Sequence, residues 1–215
     1  WAGTLAAHPG TQPMRVVEQH RSGYLVAAAP GEALAVESPP EWLRRSGYRK
    51  GTMAPEDRAA VGDWVLVEDG KRIVVMLPRR SAIKRAAAGE HYKQQLIAAN
   101  IDTVLVVCGL DADFNPRRIE RYLLLVQGGG TPVIVLTKAD KPEADIAAAV
   151  AALTEIAGQG VAVVPVNARE PASVQGLHRW LGPGMTAVLV GSSGAGKSTI
   201  ARKLLEVEPG DEVVE

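Results

Sequence analysis

The stretch Gly191-Ser192-Ser193-Gly194-Ala195-Gly196-Lys197-Ser198-Thr199 constrains this chain more than any other. It satisfies the pattern G-x-x-x-x-G-K-[ST] and directly follows an apolar run, Ala187–Val190. That context predicts a strand, a glycine loop and then a helix from Lys197. The residue types have a chemical reason. Glycines let backbone N–H groups point inward around phosphate oxygens, and the following helix adds its positive end. Lys197 supplies a cation for the phosphates and is the candidate catalytic side chain. The Ser198 hydroxyl suits Mg²⁺. Average residue frequencies give such a pattern by chance in roughly 1% of chains of this length.

The residues before the loop alternate between strand and helix signals. Thr103–Cys108, Val133–Leu136 and Val161–Val166 read as strands. Asn115-Pro116 offers a helix cap and a first-turn proline. Ile119, Tyr122, Leu123 and Val126 then follow at helical spacing, as do Ile146, Val150, Leu153 and Ile156. A third helix is expected over Val174–Leu181. The alternation predicts a mainly parallel sheet covered on both faces.

Thr137-Lys138-Ala139-Asp140 follows the strand Val133–Leu136, at the sheet edge where ligands bind in open α/β folds. It resembles the [NT]KxD segment of GTPases, whose carboxylate accepts hydrogen bonds from guanine N1–H and the 2-amino group. Adenine lacks those donors and would leave the carboxylate unpaired. The Lys138 stem is expected along the base and the phosphate loop. Asn167-Ala168, after the next strand, stands where GTPases place a Ser-Ala segment against guanine O6, with Asn in place of Ser. The order is base segment, Ser-Ala-like segment, phosphate loop. Ordinary GTPases begin with the phosphate loop, so this is the same cycle cut elsewhere, a circular permutation.

The N-terminal part reads as β structure. Arg15–Glu18, Tyr24–Ala27 and Leu34–Glu37 are short runs separated by turn formers, and Trp64–Glu68 and Arg72–Leu77 flank an Asp69-Gly70 hairpin signal. Several short strands suit a small barrel, with the OB-fold a natural candidate. The expected division is residues 1–88 for the barrel and 89–215 for the nucleotide-binding domain. Arg44, Arg45, Arg49 and Lys50 form one basic cluster, and Arg79, Arg80, Lys84 and Arg85 another. With Tyr24, Trp42, Tyr48 and Trp64 as stacking candidates, they offer a route to RNA.

Composition adds exclusions. Lys+Arg and Asp+Glu both number 24, so overall charge argues for neither a nucleic acid nor a membrane surface. The single cysteine, Cys108, excludes an intrachain disulfide and reads as a buried strand residue. A reducing, cytoplasmic setting is expected. No apolar run approaches the roughly 20 residues of a membrane span. His8, His20, His91 and His178 show no metal-ligand spacing, and Asp111-Ala112-Asp113 reads as a polar loop.

A barrel followed by a permuted nucleotide domain resembles the RsgA/YjeQ family of small-subunit-dependent ribosome-assembly GTPases. The resemblance also rests on Val61-Gly62-Asp63-Trp64-Val65 and on Ala98-Ala99-Asn100-Ile101-Asp102, read as opening the second domain. It implies an α/β P-loop GTPase domain, circularly permuted, preceded by an all-β OB-fold barrel that touches 16S rRNA. It further implies GTP/GDP and Mg²⁺ as ligands, hydrolysis stimulated by the 30S subunit, late subunit maturation, and a monomer with no membrane association. The family continues with switch regions, a DxPG segment and a zinc-binding module. This sequence stops at Glu215, so zinc is expected only in that module, and this stretch alone is expected to bind nucleotide weakly and hydrolyse it poorly. Two other readings remain open here: an ATP-using P-loop kinase or ATPase, and an RNA-binding module that uses nucleotide only as a switch.

Overall fold

The computed structural model describes residues 1–20, 23–43, 57–86, 94–158 and 160–205. The chain forms two compact units, Trp1–Ile101 and Asp102–Glu215.

In the first unit, α1 (Ala2–Ala7) precedes β1 (Thr11–Gln19), β2 (Gly23–Ala27), β3 (Ala33–Glu37) and the short α2 (Pro40–Leu43). The strands β4 (Trp64–Glu68) and β5 (Arg72–Met76) follow. These five strands close into a barrel in the order β1-β2-β3-β5-β4, with β3 and β5 parallel through Glu37 and Arg72. This is the five-stranded OB arrangement expected from the sequence. Strand alternation explains the core: Met14 and Val16 of β1, Tyr24 and Val26 of β2, and Val65 and Val67 of β4 share one buried cluster.

Trp42 completes that core, 4% exposed and edge-on to the Tyr24 ring at 5.9 Å. Neither ring is a surface platform for bases. Trp64 is half-buried, 5.6 Å from the Trp1 ring. Tyr48, Arg44, Arg45, Arg49 and Lys50 lie outside the described residues.

The hairpin β6 (Ala82–Ala86) and β7 (Gln94–Ala99) was not visible in the sequence, because Arg79, Arg80, Lys84 and Arg85 read as a basic run. It belongs to the first unit, so the division falls after Ile101 rather than at 88/89. The physical reason is a dense set of polar ties. The Ala99 N–H donates to the Val61 carbonyl at 2.9 Å, and Asn100 Nδ2 donates to the Gly62 carbonyl at 3.0 Å. Gly62 sits at φ 92°, and a Cβ there would lie 2.1 Å from the Ala99 carbonyl oxygen. The two stretches that carry the family resemblance therefore face each other, and Ala98–Ile101 closes the first unit rather than opening the second.

Arg79 is also placed differently from the sequence reading. Its guanidinium turns inward to Asp63, whose carboxylate is fully buried and accepts from Arg79 Nε at 2.9 Å and from the Ala60 N–H at 2.8 Å. A buried pair of this kind does not serve a nucleic-acid phosphate.

In the second unit, the strands are β8 (Thr103–Gly109), β9 (Thr131–Thr137), β10 (Ala162–Pro165) and β11 (Ala187–Gly191). The helices are α3 (Pro116–Leu125), α4 (Ile146–Ala157), α5 (Pro171–Gln175) and α6 (Lys197–Leu205), with a 3₁₀ turn at Gly176–Trp180. The Asn115 side chain accepts from the Arg118 N–H, and Asp145 caps α4 through Ala148. The single helix expected over Val174–Leu181 is instead the end of α5 and the 3₁₀ turn. The sheet runs β10-β9-β8-β11, every pair parallel. Leu105, Val107, Val133 and Val135 share a core with Val174, Leu177 and Ile200 from α5, the 3₁₀ turn and α6. The alternate residues Val104, Val106, Ile134 and Leu136 are also fully buried, on the face that takes α3 and α4.

Removing the Asp63 carboxylate leaves the Arg79 charge and the Ala60 N–H without their acceptor. Asp63→Ala is expected to destabilise the barrel unit by about 3–5 kcal/mol. A fall in the urea midpoint of tryptophan fluorescence measures it, since three of the four tryptophans, Trp1, Trp42 and Trp64, lie in this unit and a Trp180→Phe background removes the fourth.

Candidate functional site

Four parallel strands bring four loop starts to one edge of the sheet. Register makes the juxtaposition specific: Gly109 lies opposite Thr137, Leu136 opposite Pro165, and Gly191 opposite Val107. The segments after β8, β9, β10 and β11 therefore meet at the carboxyl edge, the place where open α/β sheets bind ligands.

Three of these segments line one cleft of about 320 Å³. Thr137, Lys138, Asp140 and Lys141 come from the first, Asn167, Ala168 and Arg169 from the second, and Gly194, Gly196 and Thr199 from the glycine loop and α6. Residues 58 positions apart in sequence are tied directly: the fully buried Thr137 hydroxyl donates to the Ala195 carbonyl at 2.6 Å. Thr137 thus anchors the base segment to the glycine loop.

Within the loop, Gly194 and Gly196 take φ of 75° and 98°, and Ala195 is buried. Lys197 begins α6 and folds back, its Nζ donating to the Ser192 carbonyl at 3.0 Å. Ser198 follows in the first turn of α6, half-buried, and Ser193 is exposed. Ala139 is half-buried between Lys138 and Asp140. Asp140 is exposed, and among the described residues its carboxylate has no hydrogen-bond or ion-pair partner. Asn167 is committed locally: its side-chain oxygen accepts from the Arg169 N–H at 3.0 Å, while its own N–H donates to Ser173 Oγ at 2.9 Å.

The segment after β8 joins the same edge. Asp113 accepts from Ser192 Oγ and from Arg118, each at 2.5 Å. The Ser192 hydroxyl, and then Arg118, hold the Asp113 carboxyl below the usual carboxylate range. Asp111 lies 2.5 Å from Lys138 Nζ, and the hydrogen bond from that ammonium lowers its carboxyl likewise. Cys108, at the end of the same strand, is buried and its thiol is pushed up by that burial. Ser192 also borders a second groove of about 450 Å³ with Arg118, Arg121, Tyr122 and Leu125 of α3. The sequence reading favoured a polar loop for Asp111 and Asp113 over a Mg²⁺ role. Their proximity to Lys138 and Ser192 depends on strand order, which residue spacing does not reveal.

A glycine loop entering a helix and a Thr-Lys-x-Asp loop, tied together at one edge of a parallel sheet, define a circularly permuted P-loop GTPase domain with an OB-type barrel before it. The sequence model of the RsgA GTPase family matches residues 76–212, and the chain belongs to that family. It is 63% identical over 207 residues to the small ribosomal subunit biogenesis GTPase RsgA of Xanthomonas campestris pv. campestris strain B100, covering 95% of this chain and 54% of the relative. To the protein of the same description from Xanthomonas oryzae pv. oryzae strain MAFF 311018 it is 61% identical over 209 residues, covering 97% and 55%. The chain thus spans about half the length of these curated relatives. The crystal structure of YjeQ from Thermotoga maritima shares the fold, with a TM-score of 0.67 at 21% identity, over 95% of this chain and 67% of that one. Among the described residues no helix is long and apolar enough to cross a membrane.

Two outcomes follow from the geometry. Thr137→Val removes the donor to the buried Ala195 carbonyl and is expected to cost about 1–3 kcal/mol in thermal denaturation. Asp111 and Asp113 both titrate below their ordinary value of about 3.9, so their pairs contribute stability above that pH and lose it as pH falls through the lowered values. The melting difference between the parent and an Asp111→Asn/Asp113→Asn double variant should be full at about pH 7 and close at strongly acid pH. A difference unchanged in acid would count against the pairs.

Proposed function

We propose that the second unit binds GTP and GDP at the carboxyl edge of the sheet, with the base in the cleft beside Asp140 and the phosphates on the glycine loop. The observation that carries this is Asp140: a carboxylate without a partner among the described residues, on a cleft whose other wall is the glycine loop, with Thr137 holding the two walls together. A lone carboxylate suits a ligand edge that presents two N–H donors, and guanine has that edge. Ala168 sits at the third wall, and its backbone N–H is the proposed donor to the guanine carbonyl.

The loop fits a polyphosphate. A Cβ at Gly194 would meet nothing within 4 Å, so the backbone there is open to approach. Among the described residues Lys197 Nζ bonds only the Ser192 and Gly191 backbone carbonyls and meets no carboxylate, which suits phosphate oxygens. Ser198 is the residue that would hold Mg²⁺, a hydroxyl beside phosphate oxygens being a donor set for a hard cation. When bound, the ion neutralises phosphate charge and supports transfer to water.

For the whole protein we propose GTP hydrolysis stimulated by the small ribosomal subunit, in a maturation role. The support is membership of a family whose relatives are described as small ribosomal subunit biogenesis GTPases. Contact of the first unit with 16S rRNA is part of this reading. It draws on Lys84, exposed on β6, and not on Arg79, Tyr24 or Trp42, which are committed to the interior.

Asp140→Asn is expected to abolish the preference for GDP over ADP in competition binding, while Lys197→Ala weakens both nucleotides. A hydrogen bond to a charged group of this kind is worth about 1.5–3 kcal/mol, tenfold or more in affinity. Unchanged guanine preference in Asp140→Asn would overturn the base assignment. Hydrolysis by the full-length protein is expected to rise when 30S subunits are added, and no rise would overturn the proposed partner.

A further inference from the structure

Lys138 has a long, rotamer-rich side chain on a backbone held at φ 60°, and such a side chain does not stay in one place without a partner. Its partner comes from a different loop. The ammonium lies 2.5 Å from Asp111 Oδ2 and the pair is partly sequestered, with the side chains 30% and 18% exposed. Asp111 is itself fixed, its Oδ1 accepting from the Asp113 N–H at 3.2 Å. Lys141, at the far side of the Asp140 turn, brings a second ammonium within 4.0 Å of the same carboxylate. The floor of the pair is Gly109. A Cβ there would lie 2.9 Å from Asp111 Oδ1, 3.2 Å from Lys138 Nζ and 3.3 Å from Lys138 Cδ, so the ion pair occupies the space a side chain would need.

We propose that Asp111 is a positioning residue for the base subsite: seated over the bare Cα of Gly109, it draws the Lys138 ammonium away from the cleft and lays the lysine stem along the cleft as a wall for the guanine ring. This rests on the base reading given under Proposed function and assigns Asp111 no contact with the nucleotide. Asp111 thereby holds Lys138, Lys141 is shared between Asp111 and Glu143 at 3.8 Å, and Asp140 is left as the acceptor for donors on the base. The lowered Asp111 carboxyl is consistent with a pair that stays ionised at neutral pH.

The test uses the full chain with two probes, GDP and inorganic tripolyphosphate, the latter able to engage only the phosphate loop. Asp111→Ala is expected to weaken GDP about tenfold, the scale of one charge-assisted hydrogen bond, with tripolyphosphate unchanged within about twofold. Gly109→Ala should reproduce that split. In a double-mutant cycle, Asp111→Ala combined with Lys138→Ala should bind GDP about as well as Lys138→Ala alone. Asp111→Asn, which keeps an acceptor without the charge, should fall between parent and Asp111→Ala. Multiplicative losses in the double variant, a parallel fall in tripolyphosphate affinity, or GDP affinity unchanged in Asp111→Ala would each overturn the assignment. Asp140→Asn separates the two levels. If it keeps guanine preference, the base reading fails and this inference fails with it. If it loses that preference while Asp111→Ala stays neutral, only the inference about Asp111 fails.

Discussion

Parallel pairing of four strands is the constraint on which the site depends. Because β10, β9, β8 and β11 run the same way, each strand delivers its following loop to the same edge. Once that is fixed, chain order ceases to matter. Thr137 and Ala195 are far apart in sequence and adjacent in space, and a single buried hydroxyl joins them. A circular permutation changes which loops are continuous in the chain. It leaves the strand neighbours, and therefore the loop neighbours, untouched. The motif order that looks unusual in the sequence is for this reason compatible with an ordinary site.

The most legible parts of the sequence were those governed by local chemistry. The Asn115 cap with Pro116, the Asp69-Gly70 hairpin and the continuous apolar run Thr103–Cys108 each follow from properties of neighbouring residues, and the structure has them. The strands leading into Thr137–Asp140 and Gly191–Thr199 were legible for the same reason. What was not legible depended on partners distant in the chain. The β6–β7 hairpin hid behind four basic residues, because a charge run carries no sign of which members turn inward. Arg79 turns inward because Asp63 is buried sixteen positions away across a strand pair. The sequence reading therefore placed in an RNA-facing cluster a residue that holds the barrel together.

The same difference in range explains the unit boundary. A change of pattern near Arg85 suggested a division at 88/89, since the apolar parallel strands begin soon after. Yet Asn100, in the connector directly after β7 and three residues before β8, commits both ends of its amide to the first unit: Nδ2 donates to the Gly62 carbonyl, and Oδ1 accepts from the Arg80 N–H at 2.8 Å. Ser81 adds a reciprocal pair with Ile101, each bond 2.9 Å. Backbone polar groups in a buried connector must be satisfied, and here the first unit satisfies them. Composition marks where one style of strand gives way to another, but hydrogen bonding marks where a unit ends.

Charge follows a related logic. The chain as a whole is neutral, and that balance says nothing about an anionic ligand. Locally the carboxylates near the glycine loop are not free. Asp111 is paired with Lys138, and Asp113 with Arg118 and the Ser192 hydroxyl. Among the described residues Lys197 meets only backbone carbonyls and no carboxylate at the place proposed for phosphates. Asp140, on the opposite wall, keeps a carboxylate without a partner among the described residues, where the proposed base would present donors. A polyphosphate joined to a base with N–H donors needs a cation at one end and an acceptor at the other. Pairing the intervening carboxylates with their own cations is what keeps those two ends distinct within one small cleft.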